Sequence, residues 1–494
     1  MCGIVVVIGK NSKVKAKKAL NKIKHRGGDD YTIVTIDNMS MGFTRLSINE
    51  QSSKGNQPFY YENYIGLFNA EIYNSNQLNK KYNLNIKSKS DCEVILPLYQ
   101  KIGKEVINIL DGFFVGVIYD KKEETLLILK DYIGKKPLFF AYDEDTQYII
   151  SELKALPKIQ YFEDFPKGIS ILKGKEIRLL KKHHHTFLNH KSFLKDSLYK
   201  AVEKRIEGIK NMKVGIFLSG GLDSSIVASL VNQFLPANRI HYYAIADPKS
   251  EDLQYINIMK DFLNIHDDKI SYVPLPNRER LLHLLQEVVY ATESTNPSII
   301  SNGIGAYILS QKAHSDEIKV VITGDGADEV FLGYYNRDFL SNSSKWRKLQ
   351  QDFINELCLT ELRRVDLACM ANSVEVRCPF LDKKVCEIAL NLEYEDFFGK
   401  DIDSLNKNIL RDIFKDVLPQ EITNRKKVSF DVGSGLQHRI VELCTENSLS
   451  EREYLKNIWN EMFGKNLSKV DKDPYFWSYP QFDKMIEKRG EKYQ

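Results

Sequence analysis

The chain has 494 residues, 43% hydrophobic and 28% charged, with a formal net charge of +4. This is the composition of ordinary globular domains, and the length calls for two or three of them. Basic and acidic residues are interspersed and no apolar run could span a bilayer, so neither bulk nucleic-acid binding nor a membrane role is expected. Seven cysteines without CxxC spacing give no disulfide framework or zinc site, and no secretory leader is visible; a reducing cytoplasm is expected.

Short β-rich pieces open the chain. GIVVVIG (3–9), YTIVTI (31–36), YIGLFNAEIY (64–73), FFVGVIYD (113–120) and TLLILKD (125–131) are aliphatic and aromatic runs bounded by Gly, Asn or Asp. Helical periodicity is confined to SKVKAKKALNKIKH (12–25) and DCEVILPLYQKIG (91–103). The pattern predicts an α+β domain of mainly antiparallel sheet over residues 1–180. KGKEIRLLKKHHHTFLNHK (173–191) is basic and His-rich and reads as the connection between domains. Its run His183-His184-His185 is better explained as a solvated linker than as a metal site, because consecutive residues point in different directions.

From residue 192 to 494 the pattern changes to strands ending in Gly-rich turns, alternating with long helices. KVGIFLSGG (213–221), IHYYAIA (240–246) and EIKVVITGDG (317–326) read as strands; DSSIVASLVNQFL (223–235) and SNGIGAYILSQKAH (301–314) read as helices. Such alternation implies a parallel sheet that binds ligands at the carboxyl ends of its strands.

The most specific local signal is FLSGGLDSS, Phe217 to Ser225. An apolar strand runs through Leu218 into Ser219, Gly220 and Gly221, and a helix opens at Leu222. The glycines allow close backbone approach, the helix-start amides suit an anion, and Ser219, Ser224 and Ser225 add hydroxyls. Asp223 would repel a bare phosphate and so implies magnesium carried by the phosphates. This loop resembles that of the ATP pyrophosphatase family, which adenylates a substrate by cleaving between the α- and β-phosphates. A Walker A loop is absent: the nearest stretch, Gly3 to Asn11, has one residue too many and no Ser/Thr. A second acidic turn, TGDGADEVFLGY, places Thr323, Gly324, Asp325, Asp328 and Glu329 at another strand end. If the two loops are neighbours, Asp223 and Asp328 face one magnesium. NSVEVRCPFLD and LPQEITNRKKVSF add Arg377 and the run Arg425, Lys426 and Lys427.

In the first half MCGI, HRGGDD, RLSI, QPF, NAEIYN, SDCEVI, DGFFVGVIYD and GKKPLFF follow in order. They resemble the class II, N-terminal nucleophile glutamine amidotransferase domain, an αββα sandwich. Followed by SGGLDSS, TGDGADEVFLGY, EVRCPFLD and RKK-x-x-F, the series resembles the glutamine-hydrolysing asparagine synthetase family, almost to PYFW at 474–477. The C-terminal half is then an α/β synthetase domain of the ATP-pyrophosphatase type.

With Met1 removed, Cys2 would own an α-amine titrating near ~8, able to act as general base toward its own thiol. The resemblance implies that Asn69 and the amide of Ala70 form the oxyanion hole. It also implies that Arg45 pairs with the glutamine carboxylate, and Glu71 and Asp91 with its ammonium. In the second half it implies a pyrophosphate site of Leu218–Ser225 with Thr323 and Gly324, and magnesium on Asp223 and Asp328. Asp325 would assist ammonia attack, and Lys427 would act in adenylation. Glutamine, ATP and aspartate are then the substrates, ammonia crosses a buried passage, and a homodimer is suggested. An alternative keeps this chemistry and changes the acceptor, for instance to a sugar carboxylate of surface polysaccharide synthesis. A β-lactam-forming or cyclising synthetase would be expected to lack Cys2, and a binding pseudoenzyme to lack the acidic and glycine loops. The chain departs from the family at Gly28 (usually Pro), Ala70 (usually Gly), Lys130 (usually Arg) and in KKVSFDVGSG on the acceptor side. If Ala70 needed a positive φ, it would cost about 1 kcal/mol or more.

Overall fold

A computed structural model describes residues 2–159, 161–184, 190–245, 247–334, 345–400 and 404–464. Met1, His185 and the PYFW stretch at 474–477 lie outside the described residues. The chain divides into two compact units, one within residues 1–185 and one within 186–462.

The first unit contains twelve strands: β1 (Gly3–Gly9), β2 (Asp30–Ile36), β3 (Met39–Arg45), β4 (Phe59–Tyr61), β5 (Tyr64–Ile72), β6 (Gly112–Asp120), β7 (Thr125–Lys130), β8 (Phe139–Tyr142), β9 (Thr146–Ile150), β10 (Phe162–Asp164), β11 (Gly168–Lys173) and β12 (Glu176–Lys181). They form two six-stranded antiparallel sheets, ordered β10-β8-β9-β1-β3-β2 and β12-β11-β7-β6-β5-β4. Side chains alternate across a strand, so each sheet has two apolar faces to bury. Ile4, Val6, Met41 and Phe43 of one sheet meet Leu67, Val115, Val117 and Ile128 of the other, forming the central core.

Phe68, Ile72, Phe114 and Leu129 point the opposite way, against Leu78, Ile95 and Leu98 of α2 (Ser75–Tyr82) and α3 (Ile95–Ile102). The outer face of the first sheet is covered by α1 (Ser12–Lys22), which buries Ala16, Ala19 and Leu20 at i, i+3, i+4 spacing. This is the αββα sandwich expected of an N-terminal nucleophile domain. Cys2 therefore leads into a central strand, held between β9 and β3.

The basic stretch at 173–191 is not wholly a linker. Residues 176–181 are β12, paired with β11. His183 is not simply solvated: its Nε2 lies 2.8 Å from the Lys130 carbonyl and its ring lies beside Phe114 and Tyr132. EIRLLK carries Glu176, Arg178 and Lys181, a charge load that an edge strand such as β12 tolerates.

The second unit holds a five-stranded parallel sheet of β13 (Val214–Phe217), β14 (Ile240–Ile245), β15 (Ile270–Val273), β16 (Val320–Ile322) and β17 (Glu375–Arg377), ordered β15-β14-β13-β16-β17. The short helix α4 (Val106–Ile109) closes the first unit's helical layer, and α5 (Leu194–Glu207) opens the second unit. The crossovers are α6 (Leu222–Phe234), α7 (Glu251–Phe262), α8 (Arg278–Thr292) and α9 (Pro297–Ser315). Asn296 caps α9, accepting from the amides of Ser298 and Ile299, with Pro297 in the first turn where no amide is needed. No helix among the described residues is long and apolar enough to cross a membrane.

Candidate active sites

Antiparallel pairing of Gly3 with Thr44 brings the start of β1 beside Arg45 at the end of β3. From there the Cys2 nitrogen donates across to the other sheet, to Asn69 Oδ1 at 3.0 Å. Asn69 is fully buried, and its amide nitrogen, Nδ2, has no hydrogen-bond partner among the described residues. A buried donor left unsatisfied is expensive, of the order of 1–3 kcal/mol, and points to a ligand that accepts from it.

The main chain supplies a second donor. The amides of Phe68 and Ile72 leave β5 on the side away from β6, toward Gln57 Oε1 and Asp91 Oδ2 at 2.6 Å each. Alternation in an antiparallel ladder sends the Ala70 amide to that same side. Ala70 has no positive φ, so the strain that an alanine might have carried here does not arise. Gly28 is likewise unproblematic: a Cβ built on it meets nothing within 4 Å. Lys130 in place of Arg is buried and paired with Asp164 at 2.5 Å.

Arg45 is buried, with Nη1 on Ser52 O (2.8 Å) and Asn56 Oδ1 (2.6 Å) and Nη2 on Glu50 O. These three acceptors are neutral oxygens. Asp91 accepts from Asn49 Nδ2 at 2.9 Å as well as from Ile72 N. Glu71 lies on the same face of β5 as Asn69, because residues two apart share a face. Arg45 follows Thr44, the partner of Gly3, and Asp91 bonds the β5 backbone at Ile72, so a cation and carboxylates stand on the elements that flank Cys2 and Asn69. Asn49, which carries no motif of its own, is a partner that sequence reasoning missed.

In the second unit β13 and β16 are adjacent, so the loops that follow them are neighbours. Gly220 takes φ +66, and a Cβ there would sit 2.7 Å from the Ile256 amide. A Cβ on Gly324 would sit 2.8 Å from the Asp223 carbonyl carbon, so the two loops touch only because that residue is glycine. Ser219 and Ser224 hydroxyls bond each other at 3.0 Å, whereas the buried Ser225 Oγ has no partner among the described residues. The loops line a cavity of about 380 Å³ that also includes Asn302, Arg364, Lys407, Lys427 and Phe430.

Asp223 and Asp328 converge on two ammonium groups. Lys407 Nζ lies 2.5 Å from Asp223 Oδ2 and 2.5 Å from Asp328 Oδ1, and Lys427 Nζ lies 2.5 Å from Asp328 Oδ2. Among the described residues no cluster of three or more His, Cys, Asp or Glu could hold a metal unaided. Two carboxylates, with the buried Asp223 Oδ1 lacking a hydrogen-bond partner among the described residues, do fit a hard cation that arrives with phosphates. The adjacent lysines hold the Asp328 carboxyl well below the usual carboxylate range, and Asp328 in turn raises Lys427. Lys407 was missed in the sequence because its neighbours, DSLNKNIL, match no motif; only the fold carries it to this point.

Asp325 reaches the cavity, held by Arg364 Nη2 at 2.7 Å, and Arg364 also pairs with Glu361. Glu329 turns away from the cavity, is buried, and accepts from the Tyr334 hydroxyl. Arg377 does not join the site: it is buried against Glu375 at 2.7 Å and donates to the Arg205 carbonyl at 2.5 Å. Arg425 lines the same cavity and braces the loop, donating to Ser219 O at 3.2 Å while pairing with Asp252.

Residues 1–206 match the family described as glutamine amidotransferase domain, and residues 194–358 and 338–487 match asparagine synthase. Together these define a ligase that forms carbon–nitrogen bonds with glutamine as amido donor. The chain is 30% identical over 452 residues to asparagine synthetase B [glutamine-hydrolyzing] of Escherichia coli (strain K12), covering 85% of this chain and 79% of that one. It is 30% identical over 523 residues to asparagine synthetase [glutamine-hydrolyzing] 2 of Oryza sativa subsp. japonica, covering 95% and 87%. It is 28% identical to a probable asparagine synthetase of Acanthamoeba polyphaga mimivirus, covering 98% and 97%. The chain belongs to the glutamine-hydrolysing asparagine synthetase family.

Proposed function

We propose that the chain makes asparagine from aspartate, glutamine and ATP, releasing glutamate, AMP and pyrophosphate. The observation that carries the glutamine half is the bond from the Cys2 nitrogen to Asn69 Oδ1, which leaves the buried Asn69 Nδ2 as an uncommitted donor beside the thiol. With Met1 removed, the α-amine takes the thiol proton and the sulfur attacks the glutamine amide carbon. Asn69 Nδ2 and the Ala70 amide then donate to the developing oxyanion. Ammonia leaves with a proton, and water hydrolyses the thioester to glutamate. Arg45 orients the substrate carboxylate, and Glu71 and Asp91 its ammonium.

At the second site the acceptor carboxylate attacks the α-phosphorus and pyrophosphate leaves into the loop of Leu218–Ser225 with Thr323 and Gly324. Ser225 Oγ and the first amides of α6 are donors for that anion. Asp223 and Asp328 would hold magnesium, whose chemistry here is to neutralise the phosphates. Lys427 stabilises charge on the α-phosphate. Asp325, fixed by Arg364, accepts a proton as ammonia attacks the acyl-adenylate and AMP departs. Aspartate as acceptor is supported by family membership.

The test is acceptor profiling. Purified protein is given glutamine, MgATP and one carboxylate at a time, with pyrophosphate and product amide quantified. Aspartate should give asparagine, AMP and pyrophosphate in equal amounts. Glutaminase activity with no asparagine, and pyrophosphate release with a sugar carboxylate instead, would overturn the aspartate assignment.

A further inference from the structure

The N-terminal strand is held by a buried ion cluster that the proposed glutaminase chemistry does not use. β1 pairs with β9 through Val5 and Ile150, and the pairing continues as Ser151 N donates to Ile4 O at 3.0 Å and Ile4 N to Ser151 Oγ at 2.9 Å. The next residue, Glu152, is fully buried where β9 ends and the short helical turn Leu153–Ala155 begins. Its Oε1 accepts from Arg26 Nη1 at 2.6 Å, and its Oε2 lies 2.9 Å from His25 Nε2 and 2.5 Å from Lys154 Nζ. Arg26, also fully buried, turns its Nε onto the Cys2 carbonyl oxygen at 3.0 Å.

We propose that Glu152 is a positioning residue for the nucleophile, acting through Arg26 to fix the Cys2 main chain and with it the thiol. The chemical reason is that Cys2 is a chain end in the proposed active form. A terminal residue has only one covalent tether, so its α-amine and sulfur must be oriented by non-covalent bonds. Asn69 holds the nitrogen, and Arg26 holds the carbonyl at the other end of the residue. An arginine alone would swing; a carboxylate beneath its Nη1 fixes the plane of the guanidinium, so that Nε points at one place. A buried carboxylate with three basic partners is a poor way to gain stability, because desolvation offsets most of the attraction. It is a good way to hold a geometry. Misplacing reacting atoms by about 1 Å can lower a rate by ~100-fold, which is the scale on which this bracket acts.

The inference rests on Cys2 being the nucleophile, and the experiment separates the two. Full-length protein is treated with a diazo-ketone analogue of glutamine, and the rate and half-saturation of alkylation at Cys2 are followed by mass spectrometry of the N-terminal peptide. Glutaminase kcat and KM, and ammonia-dependent amide synthesis, are measured alongside. Cys2→Ala should abolish labelling there and glutaminase activity; if glutaminase survives, the nucleophile assignment fails, and with it this inference. Arg26→Lys keeps a cation for Glu152 but loses the Nε donor. It should lower the maximal labelling rate and kcat at least tenfold, with half-saturation and KM changed less than threefold. Glu152→Gln should do the same, and Glu152→Asp should recover part of the rate. Ammonia-dependent synthesis should persist in all of them, which reports folding where Glu152→Gln is unstable. A wild-type labelling rate in folded Arg26→Lys and Glu152→Asp, with Cys2→Ala inert, would overturn the positioning role alone.

Discussion

Asp223 and Asp328 share one ammonium group: Lys407 Nζ lies 2.5 Å from a carboxylate oxygen of each. The two aspartates belong to loops 105 positions apart in the chain, brought together because β13 and β16 are neighbours in the sheet. Two carboxylates this close repel, and the ammonium group between them offsets that repulsion.

Replacing Lys407 by methionine should therefore expose that repulsion. Breaking a buried ion pair costs about 3 kcal/mol, partly relieved here because Lys427 still faces Asp328. Thermal denaturation should show a lower midpoint, and kcat/KM for ATP should fall at least tenfold. Glutaminase activity of the same variant should stay within twofold of the parent.

Gly324→Ala places a methyl 2.8 Å from the Asp223 carbonyl carbon and 2.9 Å from the Ser224 amide. Backbone cannot yield as a side-chain tip can, so the loops after β13 and β16 must part. Acceptor-dependent pyrophosphate exchange should drop by about two orders of magnitude. Glutamine hydrolysis should be unaffected.

Ala70→Gly would restore the residue usual in the family, yet no gain is expected. Ala70 sits in extended backbone within β5, where glycine costs about 0.5–1 kcal/mol through lost conformational freedom. Urea unfolding should show a small loss of stability, with glutaminase activity within twofold because the amide donor is retained.

Glu329 provides a pH signature. Burial, together with the nearby carboxylates Glu361 and Asp328, pushes its carboxyl up from 4.5 to about 8. The folded state then binds a proton that the unfolded chain has released between those values. Stability from this group is complete below about 4.5 and is lost as pH rises through about 8. Glu361, also raised, acts in the same direction, while Asp328, lowered, acts only in acid. Glu329→Gln should flatten the decline in thermal midpoint between pH 5 and pH 8; an unchanged slope would remove Glu329 as its source.

Much of this was legible in the sequence because glycine, charge and chain position are strict about their surroundings. SGGLDSS marked a strand–turn–helix, and the fold puts Gly220 at positive φ and α6 at Leu222. YIGLFNAEIY read as a strand, and β5 carries Asn69 and Glu71 on one face. What stayed hidden was set by distant contacts. Lys407 and Glu152 stand in segments with no local pattern, and only strand order brings them to their sites. Arg377 stands in EVRCPFLD apart from the basic run Arg425–Lys427, and β17 turns it toward Glu375 in the interior. The edge strand β12 was masked by its own charge, since Glu176, Arg178 and Lys181 stand among further lysines and histidines in a stretch that resembles a linker.

The central claim is that nitrogen is released at Cys2 and consumed at the ATP site. The direct measurement is asparagine formed by folded Cys2→Ala with MgATP and aspartate, supplied either with glutamine or with ammonium. The account predicts no product from glutamine and a parental yield from ammonium. Product from glutamine, or none from either source, would contradict it.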